Sequence, residues 1–325
     1  MIAWDGEGSL KTRAVTEGAM SAVIIVLLGC LDFASGLLDP LIPIPLAVMV
    51  YRHGLKAGMA VSFVSAAVVS LVMASPIVGI GVMITGLLGI ALGLAVKEKF
   101  SLPRVFAIGV GASVLAFVLR VITFSLLSGY SFIEEITVLW ERVGQTWLDF
   151  LDHQELPQEL AVPLKELAAN MPAFARMLLP LAVLLYSLIE TVVCLFGLNI
   201  ALKRFGASLP RIPRFIHWKL PWYFVWGFIL VKAMAIILAY FPNQILQIAV
   251  LNLDLFFSGA FFVQGLAIMW FYMDQAQISK PLRVLITVLA LAAAYSLVFY
   301  ILTMLGVLDT WFDIRNPNKA GRGGY

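Results

Sequence analysis

Charge is scarce in this sequence: acidic and basic side chains make up 13% of 325 residues, where a soluble domain carries roughly a quarter. So few charges cannot clothe a water-exposed surface, which excludes an ordinary soluble globule. Neither sign is concentrated. The formal net charge is +3 and is spread among short loops, so there is no basic face for nucleic acid to sit on. Cysteine is limited to Cys30 and Cys194, each inside an apolar segment, which leaves neither a disulfide framework nor a zinc spacing. His53, His153 and His217 fall between the apolar segments. No HExxH, GxSxG or GxxxxGK(S/T) motif occurs, and no GxGxxG follows a strand. No catalytic residue, metal site or cofactor is therefore assigned, and the chain is expected not to be an enzyme.

What is abundant is apolar: 62% of the residues, in long continuous runs. A bilayer supplies no water to backbone amides, so such runs must cross it as helices; a closed barrel would show alternation instead. The expected fold is all-α, a polytopic transmembrane helical bundle of eight or nine spans with an external amphipathic segment. Runs of about 20 apolar residues, the length a span needs, cover 14–31, 55–74, 77–96, 104–128, 174–202, 221–241, 246–273 and 282–305. The stretch 37–51 is shorter and holds Pro40, Pro43 and Pro45, which makes it either a thin broken span or a re-entrant element. Leu27-Leu28-Gly29-Cys30 faintly resembles a lipoprotein cleavage box, but Asp5, Glu7 and Glu17 spoil the basic lead-in, so the first run is read as an uncleaved span.

Lysine and arginine near span ends mark the cytoplasmic side. The clusters Arg52 and Lys56; Lys97, Lys99 and Arg104; Lys203, Arg204, Arg211, Arg214 and Lys219; and Lys280 and Arg283 lie on one side together only if 37–51 crosses. That topology places Lys11 and Arg13 in the cytoplasm and the C-terminus outside, although Arg315, Lys319 and Arg322 argue the other way. The chain then reads as a cytoplasmic tail (1–13), an N-terminal bundle (14–128), an outer segment (129–173), a C-terminal bundle (174–306) and a tail (307–325) frayed from Gly321 to Tyr325. Lipid is the one assured partner, and a bacterial inner membrane the expected location.

The outer segment is the acid-rich one, from Glu134 and Glu135 to Glu155 and Glu166. Within it Ile133, Ile136, Trp140, Val143, Trp147 and Phe150 recur at helical spacing, so it lies on the membrane as an interfacial anchor or covers an outward-facing pocket as a lid. A second short helix is expected from Pro157.

An ionisable group inside a span is costly and should have a partner. Lys232 and Asp254 are each eleven residues from Asn243, so in a helical hairpin they share a depth. Glu190 reaches the same level on its own span. Glu190, Lys232 and Asp254 thus form a candidate cluster, read either as a structural salt bridge or as a ligand or proton site. Arg120 sits near the outer end of its span, where snorkelling accounts for it; the alternative is an anchor for an anionic group. Ala14, Gly18 and Ala22, spaced by four, make a small-residue stripe for intrachain packing or for docking another membrane subunit, and Gly79, Gly86, Gly89 and Gly93 form a second.

Thr16-Glu17-Gly18-Ala19, Pro43-Ile44-Pro45-Leu46, Arg52-His53-Gly54-Leu55-Lys56-Ala57-Gly58 and the terminal run Gly306-Val307-Leu308-Asp309-Thr310-Trp311-Phe312-Asp313-Ile314-Arg315 resemble the YybS-like family of bacterial membrane proteins over most of the chain. That family carries no established activity. More remotely, the N-terminal half resembles the six-helix S components of energy-coupling-factor transporters, which the Ala14, Gly18, Ala22 pattern matches and which the extra spans and the outer segment do not. The resemblance implies a solute-binding, transport-related protein. The alternative is a scaffold that recruits other membrane subunits.

Overall fold

The structure, a computed structural model, describes residues 6–154, 157–207, 209 and 214–315. Arg211, Lys319, Arg322, Glu155 and the end at 321–325 lie outside the described residues. Among those described there are eleven α-helices and no strand, and seven helices are long and apolar enough to span a membrane. The chain forms two compact units, Met1–Pro210 and Arg211–Tyr325.

The first unit contains α1 (Gly6–Ser35), a 3-10 turn (Asp39–Leu41), α2 (Pro43–His53), α3 (Leu55–Val72), α4 (Pro76–Lys97), α5 (Leu102–Ser128), α6 (Phe132–Asp152), α7 (Gln158–Ala169) and α8 (Met171–Lys203). Proline occupies the first turn of α2, α4, α5 and α8, where its missing N–H costs nothing. Gly129 closes α5 in the left-handed region at φ 75°, and Gly54 separates α2 from α3 at φ 88°.

The proline-rich stretch is the departure from a simple bundle. At 1.5 Å per residue the 11-residue α2 covers about 16 Å, half the hydrocarbon thickness. It is shielded all round: Leu46, Ala47 and Val50 have essentially no exposure. The glycine face of α4 makes the room, since a Cβ on Gly93 would sit 2.6 Å from the Ala47 carbonyl oxygen and one on Gly89 would strike the Pro43 carbonyl. α1 packs alongside through Gly18, whose Cβ would meet Val61 Cγ2 at 3.3 Å and Met49 Cε at 3.4 Å. Ala22 joins the same core with Ile25, Ile42 and Leu46, and Ala14 is half-buried. This stripe is used inside the unit.

Direction follows from contacts at the two ends of α2. Leu38 and Asp39, just before it, donate their backbone N–H groups to Asp32 near the far end of α1. Arg52 and His53, at its other end, reach Glu17 near the start of α1 at 2.5 and 2.7 Å. The 37–53 stretch therefore runs back along α1, and it gathers basic turns at one end. The Arg52 guanidinium lies 4.0 Å over the Phe205 ring, and a Cβ on Gly54 would lie 3.3 Å from Lys97 Nζ. We call this the basic end of the unit.

α8 was expected to open a C-terminal bundle at 174. It belongs instead to the first unit, interlocking with α5 through Gly109 against Thr191 and with α2 through Gly197 against Ile44. α6 and α7 pair outside the spans, with Gly144 against the Ala168 carbonyl, and Arg176 Nε of α8 donates to Thr137 Oγ1 of α6 at 2.6 Å.

The second unit has a 3-10 turn (Phe215–His217), α9 (Phe224–Tyr240), α10 (Gln244–Gln275) and α11 (Lys280–Phe312). α9 has 17 residues, just short of a standard span. The Asn243 side chain caps α10 by accepting the Leu246 N–H at 3.0 Å. α10 and α11 approach to backbone contact at Gly265 and Gly306, which face Leu302 and Phe261 carbonyls. α11 is kinked at Ala294 and does not give way to a tail at 307: it continues to Phe312, and Asp309 is wholly buried. Arg315 folds back to pair with Asp309 Oδ2 at 2.8 Å and donates to the Ile216 and Trp218 carbonyls, while Gln264 bridges Asp309 and the Leu220 N–H. The terminal Asp-Trp-Phe-Asp-Ile-Arg run is thus a clamp that ties the entry of the second unit to its last helix.

Candidate functional site

The polar centre of the first unit is Asp39. Its position is set by the turn between α1 and α2: Asp32 Oδ1 accepts both the Leu38 and the Asp39 N–H at 2.8 Å, and Pro40 ends any continuation of α1. The carboxylate then draws donors from three helices. Arg120 Nη2 of α5 lies 2.7 Å from Oδ2, the Tyr186 hydroxyl of α8 donates to the same oxygen, and Thr85 Oγ1 of α4 donates to Oδ1 at 3.1 Å. Thr85 and Tyr186 are near the middles of their helices, so the cluster is deep in the unit. One helical turn beyond Tyr186, toward the basic end, Glu190 accepts a hydrogen bond from Ser113 Oγ of α5. Glu190 is 2% exposed.

Arg120 does not snorkel to the membrane edge. Its guanidinium turns to a buried acid, as a charge in a low-dielectric medium must when a partner is within reach. The pair is not packed shut. A cavity of about 500 Å³ opens beside it toward the end opposite the basic turns, bounded by Asp32, Asp39, Arg120 and Tyr186, with Phe132 and Glu135 of α6 at its rim. Phe132 holds α6 there by edge-to-face contacts with Phe117 and Phe124 of α5, at centroid distances of 5.7 and 6.2 Å. A larger depression of about 760 Å³ between α3, α4 and α5 is lined by Met59, Phe63, Met83 and other apolar side chains, and offers surface without chemistry.

Of the residues expected from sequence, Arg120 and Glu190 belong to this neighbourhood. Lys232 and Asp254 pair with each other in the second unit at 2.7 Å, with the Lys232 ammonium 5.3 Å from the Phe228 ring. Their side chains are 47% and 29% exposed, so this pair is on the surface of its hairpin. Glu190 belongs to the first unit, where its hydrogen bond comes from Ser113. Ala14, Gly18 and Ala22 lie at the α1–α2–α3 packing. Sequence reasoning missed Asp39, Thr85 and Ser113. The available signal was an acid opening a proline-broken apolar stretch, together with an intramembrane arginine that lacked an assigned acid.

The arrangement can hold a polar solute at half depth. It offers carboxylates, a guanidinium and a phenol in one cavity, with an aromatic wall and an amphipathic helix at the mouth. Among the described residues no group of acids, histidines and cysteines is disposed to hold a metal ion.

Residues 19–310 match the family model described as predicted membrane protein DUF2232. The uncharacterised protein YybS of Bacillus subtilis is 25% identical over 320 residues, covering 95% of this chain and 99% of that protein. No solved structure matches. The chain belongs to the DUF2232 family of membrane proteins.

Proposed function

We propose that this member of the DUF2232 family binds a small solute in the cavity of its first unit, without converting it chemically, as part of membrane transport. The observation that carries the reading is the Asp39–Arg120 pair at mid-depth beside an open cavity of about 500 Å³. An ion pair kept only to hold helices together has no use for empty space next to it, since close packing is what offsets the cost of burying it. The volume is within the range of about 300 to 1,000 Å³ typical of small-molecule sites.

Two further features support it. α6 places Phe132 and Glu135 at the mouth, where a lid would sit, while Ile133, Trp140, Trp147 and Phe150 of the same helix stay exposed as the residues of an interfacial anchor would. The first unit has five helices long and apolar enough to span a membrane together with the half-length α2, which is compatible with the six helices of the S components that the N-terminal half resembles. The scaffold reading has less to rest on, because Gly18 and Ala22 of its stripe are occupied by internal packing. Residence in a bacterial inner membrane, with the basic end cytoplasmic, is part of the same proposal.

The test is an inventory by mass spectrometry of small molecules retained by the protein in mild detergent, for the wild type and for Ile77→Trp, which fills the cavity. A molecule carried by the wild type and lost from a folded I77W protein is the expected result. The same inventory for both proteins overturns the reading.

A further inference from the structure

We infer that the solute is an organic cation: an ammonium group on a compact apolar or aromatic body. The inference rests on the reading of the cavity as a solute site and adds the chemical class. It starts from the charges around the cavity. The ionisable side chains on its wall are Asp32, Asp39, Glu135 and Arg120, with Tyr186 neutral as a donor. Arg120 is matched in charge by Asp39 at 2.7 Å, and Asp39 is further satisfied by Thr85 and Tyr186, so this group forms an electrically neutral floor, in which Arg120 Nε has no hydrogen-bond partner among the described residues. Asp32 and Glu135 remain, and no lining cation balances them. Glu190 adds another carboxyl behind the floor. In a membrane interior, where fields are weakly screened, an entering anion meets net repulsion and an entering cation net attraction.

Asp32 is more than a diffuse charge. Its Oδ1 is held by two backbone N–H groups, which fixes the carboxylate, while its Oδ2 accepts no hydrogen bond among the described residues. Across the mouth Glu135 is exposed on α6. Between them stands the aromatic wall of Phe117, Phe124 and Phe132. Ring faces attract cations as well as apolar bodies, and by more when water is excluded. An ammonium thus finds a fixed acid, a second acid at the mouth and aromatic rings, and its apolar part finds Ile77, Ile84 and Val121. A carboxylate would find the charge of Arg120 already neutralised by Asp39 and two unbalanced acids beside it.

Thermal shift and calorimetry on the full chain in detergent decide the class, with benzyltrimethylammonium as cationic probe and phenylacetate as its anionic counterpart. We expect benzyltrimethylammonium to raise the unfolding temperature and phenylacetate to leave it unchanged. Affinity for the cation should fall at least tenfold in Glu135→Gln, a change on an exposed helix face that leaves the fold intact, and in Asp32→Asn. Stabilisation by phenylacetate alone would overturn the cation assignment while leaving a solute site in place. If neither probe binds and I77W behaves as the wild type, both the assignment and the site fall. Equal cation affinity in wild type and E135Q would also overturn the assignment.

Discussion

Arg120 and Asp39, 81 residues apart in the chain, meet at 2.7 Å and fasten α5 to the broken turn before α2. The turn is itself pinned to α1 through the Asp32 carboxylate, and Thr85 and Tyr186 add α4 and α8, so the one carboxylate of Asp39 ties its turn to three helices.

Removing one partner of this pair should cost far more than removing both. Arg120→Met alone leaves Asp39 charged in a low-dielectric site and is expected to destabilise the protein by about 3–5 kcal/mol. The double variant Arg120→Met with Asp39→Asn loses the pair without leaving a charge behind and should recover part of that cost. Unfolding midpoints in detergent for the four proteins of the cycle measure the coupling; additive losses would mean that the pair contributes nothing.

The glycine face of α4 should tolerate no side chain where α2 nests. Gly93→Ala puts a Cβ against the Ala47 carbonyl, 2.6 Å away, and overpacking of this kind costs about 1–3 kcal/mol. Gly111→Ala on α5 meets nothing within 4 Å, and the helix propensity of alanine makes it neutral or slightly stabilising. Monodisperse yield by size exclusion for the two variants should separate them clearly.

Single cysteines at Lys56, Lys99 and Lys203, introduced after replacing Cys30 and Cys194 by alanine, should react with an impermeant maleimide from one side of the membrane. A cysteine at Glu135 should react from the other. The grouping follows from Arg52 on Glu17 and Phe205, and from Gly54 beside Lys97. Labelling of cysteines at Arg13 and at Lys56 from opposite faces would contradict the passage of 37–53 back along α1.

In the second unit Arg315→Lys should fare almost as badly as Arg315→Ala. The guanidinium serves the Ile216 and Trp218 carbonyls and Asp309 at once, all at 2.8 Å, and an ammonium cannot reproduce that fork. A loss of about 3 kcal/mol or more is expected for either, because Asp309 is left buried. Circular dichroism melts of both variants check it.

The helices were legible in the sequence because lipid imposes a rule on continuous apolar runs that admits few exceptions. Depth counting along a hairpin put Lys232 and Asp254 at one level, and they pair there. The centre of the candidate site was not legible, for a reason visible in Asp39: its partners Thr85, Arg120 and Tyr186 are 46, 81 and 147 residues away. Hydropathy says that a helix crosses, not which neighbours it meets. The same limit hid the place of α8, whose contacts run through small residues at Gly109 and Gly197 and through Tyr186, Glu190 and Arg176, whose partners lie 147, 77 and 39 residues away. Arg120 pointed at the answer by needing an acid, and snorkelling was the wrong resolution because it treated one helix alone.

The place of Asp32 has an electrical consequence. It is fifteen residues along α1 from Glu17, which Arg52 and His53 mark as the basic end, or about 22 Å of helix. A charge resting there has that share of a membrane voltage still ahead of it, out of about 2.3 kcal/mol per elementary charge per 100 mV for the whole drop. Occupancy by a positively charged guest would then rise and fall with membrane polarisation, with no moving part required to sense it.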